Sequence, residues 1–175
     1  MDKYLLICAC AVATAGAVSD ARRRQIPNRL TLNALAAALV TRALLGGWVG
    51  LKSGLLGIFV ASSVFLLIFL MRGMGGGDVK LMAAVGAWAG SERAFGILLA
   101  AALVGGVLAI YYVTFTGKLR HTAVNALILA RHHLSSGIRT HPYLNIEEPG
   151  AARVPFGIAI ALGTLFCAGN AMLWR

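Results

Sequence analysis

Six apolar runs, separated by short polar segments, constrain this chain more than any other feature. They are Tyr4–Val18, Leu30–Val49, Ser53–Met71, Val79–Gly90, Ala94–Phe115 and Val154–Trp174. A helix that crosses a bilayer core needs about 20 residues, within a range of about 17–25. The second, third, fifth and sixth runs meet that length directly. The first and fourth are short, so they must extend into polar flanks or lie where the protein shields their ends. The fourth is rich in small residues, among them Ala83, Ala84, Gly86 and Ala87, and small residues let helix backbones approach closely. The chain is 59% hydrophobic with a mean hydropathy of +0.79, whereas soluble domains are about 45–50% apolar. These features predict an all-α, polytopic membrane protein with six transmembrane helices, forming one domain over 1–175.

Charge gives the runs a direction. There are 16 Lys plus Arg against 6 Asp plus Glu, a formal charge of +10. The basic residues sit between apolar runs and form no long solvated face, so membrane topology explains them and nucleic acid is not an expected partner. With the loop after the first run in the cytoplasm, 11 basic residues fall inside, against Lys3, Lys52, Arg93 and Arg175 outside and Arg42 within the second run. Both termini then face outward. The first run is not read as a cleaved signal, because "DARRRQIPNR" follows it at once and five more apolar runs come after. The longest cytoplasmic loop covers about 116–153. Leu119, Ala123, Leu127, Ala130 and Leu134 recur there at helical spacing, which predicts a short amphipathic helix on the inner leaflet, in contact with anionic lipids. That loop also holds all four histidines. His132 and His133 are adjacent, face different sides of a helix and lack a carboxylate at ligand spacing, so no metal is expected. Cys8, Cys10 and Cys167 lie inside apolar runs and form no CxxC pair.

Carboxylates are scarce enough to sort one by one. Asp2 is terminal, Glu92 sits in a short outer loop, and Glu147 and Glu148 adjoin Pro149. Asp20 and Asp78 remain. Parity puts Asp20 at the inner end of the first helix and Asp78 at the inner start of the fourth, so both lie at one membrane boundary. Each has a structural reading. Asp78 follows Gly75, Gly76 and Gly77 and could cap its helix; glycines there permit positive φ or close approach without a Cβ. Asp20 could neutralise Arg22–Arg24. Asn28 could cap the second helix after Pro27 breaks the chain. Lys80 could tune an acidic pair or snorkel to the headgroups. Together, Asp20 and Asp78 suggest aspartic chemistry: two close carboxylates share one proton and activate a water between them. Which one holds the proton stays open at this stage.

These residues resemble the type IV prepilin peptidase family. "GGGD" at Gly75–Asp78, continuing "VKL", resembles its GxGD motif; "DARRRQIPNRLT", Asp20 to Thr31, resembles its first aspartate region; "VPFGIAIALG", Val154 to Gly163, resembles the P-[FY]-G segment opening its last helix. The resemblance implies an intramembrane aspartic endopeptidase of a bacterial inner membrane, cutting the basic leader from prepilins after a glycine at the cytoplasmic face. It implies Asp20 and Asp78 as the catalytic pair, Gly75 and Gly77 as the motif turn, and Pro155, Phe156 and Gly157 close to the site. Larger members carry CxxC pairs and also methylate the new N-terminus. Without such pairs this chain resembles the small enzymes of tight-adherence (Flp-type) pili, and neither S-adenosylmethionine nor any other cofactor is expected. A small transporter or channel with Asp20 and Asp78 as a proton or cation site, a non-catalytic pilus or secretion assembly factor, and a presenilin-type protease are the alternatives. The last usually sets its first aspartate after tyrosine, whereas Ser19 precedes Asp20 here. The sequence sets no oligomeric state.

Overall fold

A computed structural model describes residues 2–71, 73–117, 124, 128, 131 and 156–173. Among them there are five long helices and no strand: α1 (Asp2–Arg23), α2 (Asn28–Leu70), α3 (Gly76–Ala89), α4 (Ser91–Phe115) and α5 (Phe156–Leu173). Four of these, all but α3, are long and apolar enough to cross a membrane. The expected amphipathic helix and the four histidines lie outside the described residues, as do Pro155 and Arg72. Of that loop, Val124, Ile128 and Arg131 are helical.

The second and third apolar runs do not part where the sequence suggested, between Val49 and Ser53. Helical backbone runs on through that stretch, and the break falls earlier, at Gly47 (φ 54, ψ −142). Only glycine adopts such a conformation without strain. Beyond it the chain doubles back. Arg42 reaches Ser53, and a Cβ on Gly54 would lie 2.9 Å from the Arg42 Cδ. α2 therefore begins and ends at the same end of the bundle, with Asn28 beside Lys80 and Phe69 beside Gly76.

The two short runs solve their problem differently. α1 extends into its polar flanks and reaches 22 residues. α3 stays at 14 residues and is enclosed instead, with Leu81, Met82 and Ala84–Ala89 all buried. It packs chiefly on α2, then on α1. Close approach makes this possible: a Cβ on Gly57 would run into the Gly86 carbonyl, and one on Gly86 into Gly57. A single residue, Gly90 (φ 78, ψ 172), then turns α3 into α4. Its Cα faces the Arg42 guanidinium and the Ser53 hydroxyl, and an added Cβ would lie 2.5 Å from Arg42 Nη2.

Helical periodicity fixes where α1 points Asp20. Leu5, Ala9, Ala13, Ala17 and Leu6, Ala9, Ala13, Gly16, Asp20 follow the three- and four-residue steps of one helix face, and every one of them is buried. Leu81 of α3 sits over Gly16, where a Cβ would lie 2.6 Å from its methyls. One turn further toward the same end of the bundle stand Asp20 on α1 and Asp78 on α3. α5 closes the ring against α1 and α4, with the Phe156 ring over Gly105 and edge-on to Phe65 at 5.7 Å.

Gly90 carries the clearest stability prediction. Its backbone is reserved for glycine and its space is taken, so Gly90→Ala should destabilise the fold by roughly 1–3 kcal/mol. The check is the thermal midpoint of the protein in detergent; an unchanged midpoint would contradict the role assigned to this turn.

Candidate active site

A cavity of about 550 Å³ opens at the end of the bundle where α1 stops and α3 starts. Asp20 and Asp78 both line it, with Arg23, Arg24, Gln25, Ile26, Pro27, Asn28, Gly75 and Gly77. Two segments 58 residues apart in sequence thus deliver carboxylates to one space.

Each carboxylate is held differently. Asp20 is 9% exposed. Its Oδ2 accepts a hydrogen bond of 2.9 Å from the Gly157 backbone N–H, in the first turn of α5. That amide is one of the donors a helix start leaves unpaired, and it favours negative charge on its acceptor. The contact requires glycine, because a Cβ at position 157 would lie 2.9 Å from the Asp20 Cβ and 3.0 Å from Oδ2. Asp78 stands in the first turn of α3, ahead of the apolar run, and no described side chain hydrogen-bonds its carboxyl. Burial pushes that carboxyl up to about 7, and the charge of Asp20 pushes the same way.

Several expectations need correction. Asp78 does not cap α3: the cap position is Gly75, without a side-chain bond. Gly75 is extended (φ −76, ψ 143), and none of Gly75, Gly76 and Gly77 has positive φ. These glycines serve close approach instead. A Cβ on Gly77 would lie 3.3 Å from the Ile26 Cβ, and one on Gly75 3.5 Å from Asp78 Oδ2. Asn28 does not cap α2 either. Pro27 holds that position, and the Asn28 Oδ1 accepts a 2.9 Å hydrogen bond from Lys80 Nζ. Lys80 is exposed, but its ammonium ties α3 to the start of α2 at the cavity wall.

The connector between α1 and α2 is more ordered than its sequence suggests. Arg24 takes a left-handed backbone (φ 50), uncommon for a residue with a side chain. Its N–H closes α1 on the Asp20 carbonyl at 2.7 Å. Ser19 Oγ donates to the Gln25 carbonyl at 2.9 Å, which folds the connector back along α1. The isolated apolar Ile26 within Arg22–Arg29 was the available sequence signal. It is the residue that packs on Gly77.

The sequence profile of the type IV leader peptidase family matches residues 5–110, which include both carboxylates. The chain belongs to the type IV leader peptidase family. Among curated relatives, a prepilin leader peptidase/N-methyltransferase of Aeromonas salmonicida is 34% identical over 134 residues, covering 73% of this chain and 41% of that protein. Proteins of the same name from Neisseria gonorrhoeae and Legionella pneumophila are 35% and 32% identical, covering 59% and 60% of this chain and 38% and 39% of theirs. The chain thus spans about two fifths of the length of these relatives. No solved structure matches it. The family match stops before α5, so the amide that holds Asp20 lies outside it. Apolar helices and family together make this an integral membrane protein.

The raised pKa of Asp78 has a consequence for stability that needs no substrate. An acid whose folded pKa lies above its unfolded value contributes most below the unfolded pKa, here 3.8, and that contribution is lost as pH rises through about 7. Asp78→Asn keeps the neutral shape and should remove the decline. Its unfolding free energy should gain on the wild type by on the order of 2–4 kcal/mol between about pH 4 and about pH 8. Denaturation of both proteins in detergent across that range is the measurement; parallel curves would refute it.

Proposed function

We propose that this chain is an aspartic endopeptidase that removes the basic leader of Flp-type prepilins at the cytoplasmic face of a bacterial inner membrane. The observation that carries the reading is the single cavity shared by Asp20 and Asp78, within the segment matched by the leader peptidase family. In this reading the bundle crosses the membrane six times. α2 supplies two crossings, α3 is the short one shielded by its neighbours, and both termini lie outside. Arg22, Arg23, Arg24, Arg29 and Lys80 then cluster at the inner surface, where anionic headgroups favour them.

The two environments divide the chemistry. Asp20, with the Gly157 amide on its Oδ2, is the ionised partner. Asp78, buried and facing a second carboxylate, keeps the shared proton. A water between them loses a proton to Asp20 as its oxygen bonds to the carbonyl carbon of the scissile peptide. The Asp78 proton passes to the carbonyl oxygen, giving a neutral gem-diol. The diol then collapses: the C–N bond breaks, the leaving nitrogen takes the proton from Asp20, and a diol proton returns to Asp78. One water is consumed, and carboxyl and amine products leave. The prepilin is itself an apolar helix with a polar leader, and its peptide must unwind to be attacked. Glycine at the cut lowers that cost. We assign this chain the peptidase step alone; its three cysteines lie within apolar helices and form no CxxC pair.

Leader cleavage of a co-expressed Flp-type prepilin, read by gel shift and product N-terminal sequence, tests the reading. Wild type should cleave after glycine. Asp20→Asn and Asp78→Asn should insert normally and lose at least about a thousandfold in turnover. Survival of cleavage in either variant would remove that carboxylate from the mechanism. No cleavage by wild type across several prepilins would favour the transporter or assembly-factor alternatives. Turnover should also fall as pH rises through about 7, where Asp78 gives up its proton; activity that climbs through that range would reverse the assignment of acid and base. Gly157→Ala, which crowds Asp20, should cost about tenfold or more in turnover with Asp78 intact. Wild-type turnover in that variant would discount the amide.

A further inference from the structure

Arg42 is one of only two charged residues buried among the described residues, at 8% exposure; Asp20 is the other. It lies at the opposite end of α3 from the carboxylates. Its Nε donates to the Ala87 carbonyl at 2.7 Å and its Nη2 to the Trp88 carbonyl at 2.8 Å. Its Nη1 reaches Ser53 Oγ at 3.4 Å. Ala87 and Trp88 belong to the last turn of α3, whose carbonyls have no intrahelical partner and carry the negative end of the helix dipole. The planar guanidinium meets two of them at once in a fixed fork, a geometry that a flexible ammonium does not hold preformed.

Why α3 needs this follows from its length. Fourteen residues rise about 21 Å, against a hydrocarbon core of about 30 Å. A helix of ordinary length has its depth set by matching its apolar stretch to the bilayer. α3 is too short and too enclosed for that. The Gly57–Gly86 contact sets its distance from α2, but small smooth surfaces resist sliding poorly. The ties at the two ends of the helix therefore bear on the depth of Asp78: the Lys80–Asn28 bond at the near end and the Arg42 contacts at the far end.

We propose that Arg42 is a positioning residue for the carboxylate pair: by gripping the last turn of α3 it fixes how far along the bundle Asp78 stands, and so holds it level with Asp20. The proposal rests on the dyad reading above for its link to turnover, while the geometry can be tested without it. The groups facing the pair, Arg23 and Arg24 in the cavity wall and Lys80 at its rim, lie at the other end of α3 and are untouched by a change at position 42.

Two readouts, taken on Arg42→Gln and Arg42→Lys beside wild type, decide it. The first introduces Asp20→Cys and Asp78→Cys together, in a background with the three native cysteines replaced, and measures the rate of bridging by a short bis-maleimide. The second measures prepilin cleavage per folded molecule and its fall with pH. Arg42→Gln should slow bridging severalfold, lower turnover about ten- to a hundredfold, and move the fall in activity to lower pH. Arg42→Lys, which keeps the charge but lacks the planar fork, should lie between. Bridging and turnover both unchanged would overturn the proposal. So would a loss of turnover that only tracks the amount of folded protein, with bridging and the pH profile unmoved. Where Arg42→Gln fails to fold, Arg42→Lys carries the same comparison. If wild type does not cleave, the peptidase reading fails and the link from Arg42 to turnover fails with it, and the bridging rates then report the brace alone.

Discussion

Backbone-to-backbone contact between α2 and α3 is the constraint on which the rest of the structure depends. Gly57 and Gly86 meet without side chains between them. Lipid tails are as apolar as leucine, so burial from water drives helix association weakly within a bilayer, and close packing must do more. The contact draws a 14-residue helix into the interior, where its own length no longer has to span anything. Being short, α3 can start deep enough for its first turn to sit beside the end of α1.

The site is assembled from parts that have no local reason to meet. α1 brings a carboxylate on the tail of its buried face. α3 brings another just past three residues with no side chain. α5 brings a bare amide. What they share is an end of the bundle, and the electrostatics follow from that sharing. The carboxylate given a donor can carry charge, and the one given only burial and a like-charged neighbour resists it. In the proposed reaction, asymmetry of this kind would let two identical side chains act as acid and base.

Much of this was legible in the chain, for definite reasons. Apolar runs report helices because lipid and core select the same side chains. Asp20 and Asp78 stood out because carboxylates are rare here, and the parity of the runs put them on one side. The misreadings share a cause: they assigned side chains to local roles when distant partners had claimed them. Asn28 was expected to cap its own helix and instead holds Lys80, 52 residues away. Of the two roles open to the glycines before Asp78, positive φ and close approach, the structure shows the second, with Gly77 making room for Ile26 from another segment. Arg42 offered no pattern at all, since a single arginine in an apolar run does not say which carbonyls it will find. The break at Gly47 was hidden because hydropathy carries no information about φ.

The bond between Gly157 and Asp20 joins residues 137 positions apart. A ribosome adds about 5–20 residues per second, so Asp20 is made on the order of ten seconds before the amide that holds it. During that interval α1 can enter the membrane and α3 can find α2, but one carboxylate still lacks its fixed donor. That donor arrives only once α5 has been made and packed against α1. The order of synthesis thus acts as a delay: Asp20 gains its backbone donor only when the last of the five described helices arrives.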